Sequence, residues 1–258
     1  MSPDLTSVET TQDAVLGGRL QLRQPKYGHR IGHDAILLAA ATAARAGEQA
    51  VDLGAGVGGA GLALAARVPG LTMTLVEIDP VLRELAAVNA RLNKMDERVS
   101  AIACDVGNPS TLAGAGFAGQ TIDRVLMNPP FNDARRQTSS PDARRRLAHV
   151  AGQGLLPRWI SAAAWLLKPQ GTLTLIWRAD ALGDVLAALK TEFGCVAVLP
   201  VFPRPGGAAI RVLVRAEKAA RGPMRDYPGL TLNDHQGKPS AAAEAVLRGG
   251  GILALAAL

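Results

Sequence analysis

The sequence predicts an α/β fold: a mostly parallel sheet of seven strands with an antiparallel closing strand and helices on both faces. Three observations carry this expectation. From Gln49 onward, short β-rich runs alternate with apolar helical runs. The first of these runs ends in a glycine cluster, Gly54, Gly56, Gly58 and Gly59. The last two β-rich runs follow one another directly across the loop PRPGG, as an antiparallel pair would.

Taken in order, the first 45 residues or so read as an N-terminal extension. It carries QLRQPKYGHRIGHDAILLAAATAAR, in which strand-like residues give way at Gly32 to a helix expected to be capped near Asp34. QAVDL (49 to 53) is a short apolar strand that runs into the glycines, and the helical stretch AGLALAARV follows, ending before Pro69. LTMTLVEID (71 to 79) is a second strand. Pro80 suits a first helical turn and opens PVLRELAAVNARLNK, whose Leu82, Leu85, Val88 and Leu92 recur at helical spacing. RVSAIACD (98 to 105) and TIDRVLMN (121 to 128) are two more strands. A helix from about Leu155 to Lys168 is expected to stop at Pro169 and Gly171, before the strand GTLTLIW (171 to 177). DALGDVLAALKTEF makes another helix, and CVAVLPVF and AAIRVLVRA make the closing pair. Neither an internal repeat nor a Ser- or Pro-rich linker divides the chain, so one globular unit behind the extension is the simplest organisation.

Composition narrows the class. Apolar residues make up 48% of the 258 and charged residues 19%, with mean hydropathy +0.14, which excludes disorder as the main state. The two cysteines, Cys104 and Cys195, provide neither a disulfide framework nor zinc-ligand spacing, so no metal is expected and a reducing cytoplasm fits. The polar, acidic start MSPDLTSVETTQD is the opposite of a signal peptide. The apolar runs from Ala35 to Ala44 and from Gly249 to Leu258 are about half of the roughly 20 residues that span a bilayer, so no membrane association is expected. The net charge is +6, with 22 Arg against 6 Lys. Arg dominance suits bidentate phosphate contacts, although GC-rich codon usage produces the same Arg/Lys ratio.

Asp52, Gly54, Gly56 and Gly58 lie where the first strand turns into the first helix. Such a turn lets backbone approach a nucleotide-like ligand where side chains would block it, although similar turns also serve packing alone. No Gly-Lys-Ser/Thr follows, so it is not a phosphate-binding P-loop. Glu77 ends the second strand about twenty residues further on, where a carboxylate can accept from both ribose hydroxyls. Asp79 is the alternative acceptor, but it precedes Pro80 and more naturally caps the next helix. Asp105, at the end of the third strand, suits an adenine amino group.

Asn128-Pro129-Pro130-Phe131 follows DRVLM directly. Two prolines cannot sit in a central strand, so the strand ends here in a rigid turn at the same sheet edge as the glycine loop. A residue before proline is held extended, which keeps the carbonyls of Asn128 and Pro129 out of a helix and presents them as acceptors. The plain alternative is a strand terminator with Phe131 as an apolar plug below it.

DLGAGVG, VEID, a strand-end Asp and NPPF, in this order and spacing, resemble class I, Rossmann-like S-adenosylmethionine-dependent methyltransferases of the amino-methylating group. The segments QPKYGHRIGHDAILL, WISAAAWLLKPQGTLTLIWRAD, VFPRPGGAAIRVLVRA and GLTLNDHQGKPSAAAEAVLRG are further similar to bacterial tRNA(Val) adenine-37 N6-methyltransferases, a broad family that includes members without an assigned substrate. The resemblance runs from about Val15 to Gly250 and implies a methyltransferase domain over 46 to 258, with residues 1 to 45 packing on the cofactor site. It implies S-adenosyl-L-methionine held by Arg30, Asp34, Asp52, Gly54, Ala55, Gly56, Glu77, Ile78, Asp105, Val106 and Asn128. Tyr27 and Gly32 would join Arg30 and Asp34 over the methionine end. Asp34 as a helix cap alone is the plain reading. His29 and His33 are four residues apart without a matching third ligand, so they are not read as a metal site.

The implied catalytic set is Asn128, Pro129, Pro130 and Phe131. The Asn128 side-chain oxygen and the Pro129 carbonyl would accept from the two N–H bonds of a planar amino group, while Phe131 stacks on the target ring. Arg135, Arg136, Arg144, Arg145 and Arg146 follow this turn and read as a basic segment meeting RNA, most simply tRNA, or as a solvated charge run. Three alternatives stay open: glutamine methylation of a release factor, N2 methylation of guanine in rRNA, and a binding protein that holds the cofactor without turnover. Oligomeric state leaves no mark in the sequence.

Overall fold

The computed structural model describes residues 8–28, 30–130 and 154–257. It opens with an antiparallel hairpin, β1 (Thr10–Val15) and β2 (Leu20–Pro25), in the register Thr10 opposite Pro25 to Val15 opposite Leu20. The first helix, α1 (His33–Ala41), follows. A regular alternation then runs through β3 (Gln49–Leu53), α2 (Gly59–Arg67), β4 (Thr72–Glu77), α3 (Pro80–Leu92), β5 (Val99–Ala103), the short α4 (Pro109–Gly114) and β6 (Ile122–Met127). Past the segment 131–153, which lies outside the described residues, come α5 (Leu155–Leu166), β7 (Leu167–Arg178), α6 (Leu182–Leu189), β8 (Phe193–Phe202) and β9 (Arg211–Lys218). Two-residue strands β10 (Arg225–Asp226) and β11 (Leu230–Thr231) and the helix α7 (Ala241–Leu247) complete the chain.

The sheet order is β10-β8-β9-β7-β6-β3-β4-β5, with β11 also on β8. Every pairing is parallel except those of β9 with β7 and β8. Seven strands of five or more residues thus form the expected mixed sheet, and the two short strands extend it beside β8.

Strand side chains alternate between faces, which divides the core in two. Ala50, Met73 and Leu75 share one apolar cluster with residues of α1, α2, α3 and α7. Val51, Leu53 and Val76 share the other with residues of α4, α5 and α6. Two asparagines, Asn89 in α3 and Asn93 at its C-cap, secure the hairpin as a neighbouring strand would. The fully buried Asn89 accepts from Arg23 N–H at 2.7 Å and donates to Arg23 O at 2.9 Å, while Asn93 does the same for Gln21 at 2.9 and 2.7 Å. Asn89 Nδ2 also donates to Val57 O at 2.9 Å, tying the hairpin to the glycine turn. At the other end of the chain, guanidiniums of Arg19, Arg67 and Arg215 donate to backbone carbonyls of Gly249, Val246 and Gly251, and Leu255.

The structure corrects the expected ending of α5. The helix stops at Leu166 and β7 begins at once, with Leu167 opposite Ile122, so Pro169 and Gly171 lie inside the strand rather than ending the helix. A residue before proline is forced toward extended geometry, which unwinds Lys168 and leaves its Nζ 2.8 Å from Asp123 Oδ1. Strand β1, helix α4 and everything after β9 were not anticipated. Among the described residues no helix is long and apolar enough to cross a membrane.

Candidate active site at the carboxyl edge of the sheet

Parallel strands β3, β4, β5 and β6 end at one edge, and there a cavity of about 540 Å³ opens. Its floor is the turn after β3. The Gly54 and Ala55 N–H groups both donate to Val76 O at 2.9 Å, folding the turn over β4. Gly54 has φ +71°, and a Cβ there would lie 2.3 Å from the Trp159 ring. Backbone conformation and the α5 tryptophan therefore each demand glycine at this position. The next helix starts close behind it: the Gly61 N–H of α2 donates to Asp52 Oδ2 at 2.8 Å.

Glu77 closes the neighbouring strand. Its Oε2 accepts from Gly56 N–H at 2.8 Å and its Oε1 from Asp79 N–H at 2.9 Å, so the carboxylate is locked against the glycine turn. Asp79 itself caps α3, accepting from Val81 and Leu82 N–H at 2.8 and 3.2 Å, which is the role its place before Pro80 suggests. Asp105 accepts from Gly107 N–H at 2.8 Å and lines the cavity beside the buried Val106 and the exposed Ile78.

Burial governs the two inner carboxylates. It pushes the Asp52 carboxyl up to about 7, against the Gly61 N–H that favours the charged form and together with the nearby Glu77 charge. Burial also raises Glu77; the amides of Asp79 and Gly56 oppose it, and the Asp79 charge adds to it.

The turn after β6 forms the far wall. Pro129 is buried, Pro130 is exposed, and the half-buried Asn128 places its Oδ1 in the interior with no hydrogen-bond partner among the described residues. A buried acceptor left unmade is destabilising by about 1 to 3 kcal/mol.

Most of the expected cofactor residues gather around this one cavity: Arg30, Asp34, Asp52, Gly54, Ala55, Gly56, Glu77, Ile78, Asp105, Val106 and Asn128 all line it, as does Gly32. Three expectations change. Gly32, without a side-chain bond, precedes α1, so Asp34 is not the cap; its carboxylate is drawn sideways to Arg211 Nε at 2.8 Å. Arg30 reaches the cavity, but its guanidinium donates to Thr11 Oγ1, Pro25 O and Asp13 Oδ2 of the hairpin. Tyr27 is 74% exposed with the Lys26 ammonium 5.4 Å from its ring centre, and it is not among the lining residues. Phe131, Arg135, Arg136, Arg144, Arg145, Arg146 and His29 lie outside the described residues.

Trp159 and Arg211 are among the lining residues that escaped sequence reasoning. Trp159 sits in an apolar helix where nothing distinguishes it from core. Arg211 opens β9, and only the antiparallel direction of that strand brings its first residue to the carboxyl edge.

Comparison with known proteins agrees with this architecture. The tRNA1(Val) (adenine(37)-N6)-methyltransferase of Porphyromonas gingivalis strain ATCC 33277 is 32% identical over 171 residues, covering 65% of this chain and 66% of the relative, just under two thirds of its length. A crystal structure described as a predicted O-methyltransferase from Agrobacterium tumefaciens superimposes with TM-score 0.72 at 27% identity, covering 85% of this chain and 98% of that one. The Thermus thermophilus 16S rRNA N2 G1207 methyltransferase, solved with AdoMet and guanosine, matches with TM-score 0.57 at 20% identity over 84% of this chain and 52% of that one, a likeness of fold. The family model for the methyltransferase small domain matches residues 29–201, more than half the chain, and the chain with its Rossmann-like sheet therefore belongs to the methyltransferase small domain family.

Proposed function

We propose that this chain transfers a methyl group from S-adenosyl-L-methionine to an exocyclic amino nitrogen, N6 of an adenine in tRNA. The observation that carries this reading is the buried Asn128 Oδ1, which has no hydrogen-bond partner among the described residues and belongs to a residue lining the same cavity as the glycine turn and Glu77. An acceptor held in that state calls for a ligand that donates, and an amino group does.

The residues present fit the cofactor. The Glu77 carboxylate accepts from the backbone N–H groups of Gly56 and Asp79, and with about four lone-pair sites it retains capacity for a ribose hydroxyl. Asp105 offers an acceptor for the adenine amino group, Ile78 and Val106 offer apolar walls for the ring, and Gly54 and Gly56 leave room for close backbone approach. When bound, the cofactor supplies a methyl group already activated by its sulfonium.

What remains for the protein is the nucleophile. An amino nitrogen conjugated with a ring is weak because its lone pair is delocalised. Asn128 Oδ1 and the Pro129 carbonyl, accepting from its two N–H bonds, draw the lone pair out of conjugation and stabilise the positive charge that develops. The prolines hold both acceptors rigid, so alignment is set before the target arrives. Phe131, next in the chain, takes the stacking role, and the arginines from 135 to 146 the contact with the RNA backbone.

The test is transfer of labelled methyl to tRNA from a strain lacking the gene. Label is expected in N6-methyladenosine. Label in guanine, or in a glutamine of a release factor, overturns the substrate while leaving the cofactor assignment, and failure to bind S-adenosylhomocysteine overturns both.

A further inference from the structure

Strand order divides the carboxyl edge of the sheet at Asn128. The glycine turn, Glu77 and Asp105 follow β3, β4 and β5 on one side of it, and on the other side the edge continues through β7, β9, β8 and β11. Two loops rise from this second part. Residues 203–210 join β8 to β9 and carry Arg204, while residues 233–239 join β11 to α7 and carry His235, Gln236 and Lys238; all four of these residues are exposed.

The two loops are built onto one another. Leu232 N–H donates to Phe202 O at 2.8 Å, and Asn233 donates to Pro203 O from its N–H at 3.2 Å and from its Nδ2 at 3.0 Å. The second loop also closes on itself: Asp234 N–H donates to Lys238 O at 2.8 Å, and Asp234 Oδ1 accepts from the N–H groups of Gln236 and Lys238 at 2.8 and 2.9 Å. The loop's acid is thus engaged by its own backbone, whereas the side chains of Arg204 and Lys238 have no ion pair among the described residues. Between these loops and Asn128 the charges are matched, Arg178 with Asp180 at 2.6 Å and Arg211 with Asp34 at 2.8 Å. Net positive charge on this side therefore begins at the loops.

Their place follows from pairing. Neighbouring strands lie about 4.8 Å apart, so β8 and β11 stand roughly 14 and 19 Å from β6 across the sheet. Met127 lies opposite Leu175, Arg178 opposite Arg211 and Arg211 opposite Val201, so Phe202 stands about three residues, or roughly 10 Å, further out along the strands than Asn128. The loops form a raised ledge beside the cavity mouth.

Resting on the tRNA reading above, we propose that this ledge receives the RNA phosphate backbone through Arg204 and Lys238, a few nucleotides from the target, while the target base reaches down to Asn128. With the cofactor over β3, β4 and β5, a chain whose base enters at Asn128 runs across the β7 to β11 side. Arg offers a planar fork for phosphate oxygens and Lys a compact charge, and the hydrogen-bonded loops fix the spacing of the two before RNA arrives. Such contacts set the register of the RNA without reading its bases.

The experiment measures binding of tRNA from a strain lacking the gene over a range of salt. Changing Arg204 and Lys238 together to Gln should weaken binding roughly tenfold at about 0.15 M salt and reduce the slope of log affinity against log salt by about 1.5, since each phosphate contact contributes about 0.7 to 0.9. S-adenosylhomocysteine affinity, by calorimetry, should not change. Arg45 and Lys190 are exposed at the opposite edge, before β3 and after α6, and changing both to Gln removes the same charge as a control that should leave the slope within about 0.3 of wild type. An unaltered slope in the ledge variant, or an equal fall in the control, would overturn the proposal. Loss of S-adenosylhomocysteine affinity in the ledge variant would also overturn it, because the loops would then only support the cavity. A wild-type protein that binds no tRNA would instead refute the substrate reading on which the ledge rests.

Discussion

Replacing Asp52 by Asn should make stability less sensitive to pH, because Asp52 is a carboxylate that the fold holds out of water. Its exposure is 2%, and burial moves its carboxyl from 3.8 to about 7. The folded chain therefore keeps a proton there that the unfolded chain has already lost. Between those two values the native state binds more protons, so stability falls as pH rises and levels off above about 7. At about 1.4 kcal/mol per pH unit the whole interval corresponds to about 4 kcal/mol, of which about 3 kcal/mol falls between pH 5 and 7. Asn keeps a carbonyl oxygen for the Gly61 N–H and cannot ionise. Its amide N–H groups add a penalty that does not vary with pH. Urea denaturation of both proteins at intervals from pH 5 to 8.5 gives the stability of the variant minus that of the wild type. This difference should grow by about 3 kcal/mol up to pH 7 and then stay flat. A difference that is constant, or that shrinks with rising pH, would refute the claim that burial controls this carboxyl.

Three more outcomes follow from the site. Glu77→Ala should weaken S-adenosylhomocysteine binding roughly ten- to hundredfold by calorimetry, since hydrogen bonds to a charged group are worth about 1.5 to 3 kcal/mol; unchanged affinity would remove the ribose contact from Glu77. Asn128→Ala should abolish methyl transfer to the true substrate while cofactor affinity stays within about threefold, because its buried oxygen is assigned to the target nitrogen; near wild-type turnover would sink the amino-methylation mechanism. Changing Arg135, Arg136, Arg144, Arg145 and Arg146 together to Gln should weaken tRNA binding and flatten its salt dependence without altering cofactor affinity; an unaltered slope would mark the segment as a solvated charge run.

Local chemistry wrote much of this molecule into its sequence. QAVDL is β3 to the residue, Pro80 begins α3 where its fixed φ suits a first turn, and Asn128-Pro129-Pro130 ends β6 because two prolines cannot continue a strand. Glycines after one strand and acids after the next two announced the cavity, since consecutive parallel strands bring their carboxyl ends to a common edge. Elsewhere the deciding contacts join residues distant in sequence. The polar run Thr10–Val15 is a strand through pairing with β2, and β2 is held by the side-chain amides of Asn89 in α3 and of Asn93 at its C-cap. Asp34 suggested either a cofactor contact or a helix cap, and its ion pair with Arg211, 177 residues away and delivered by an antiparallel strand, is visible only in the folded chain. Trp159 gives no sign in its helix that it bars any side chain from Gly54. Patterns of spacing and turn chemistry act within a few residues, and so the sequence alone determined the elements and the edge where they meet. Which charges face one another across that edge depended on strand order and direction, and these exist only once the sheet has assembled.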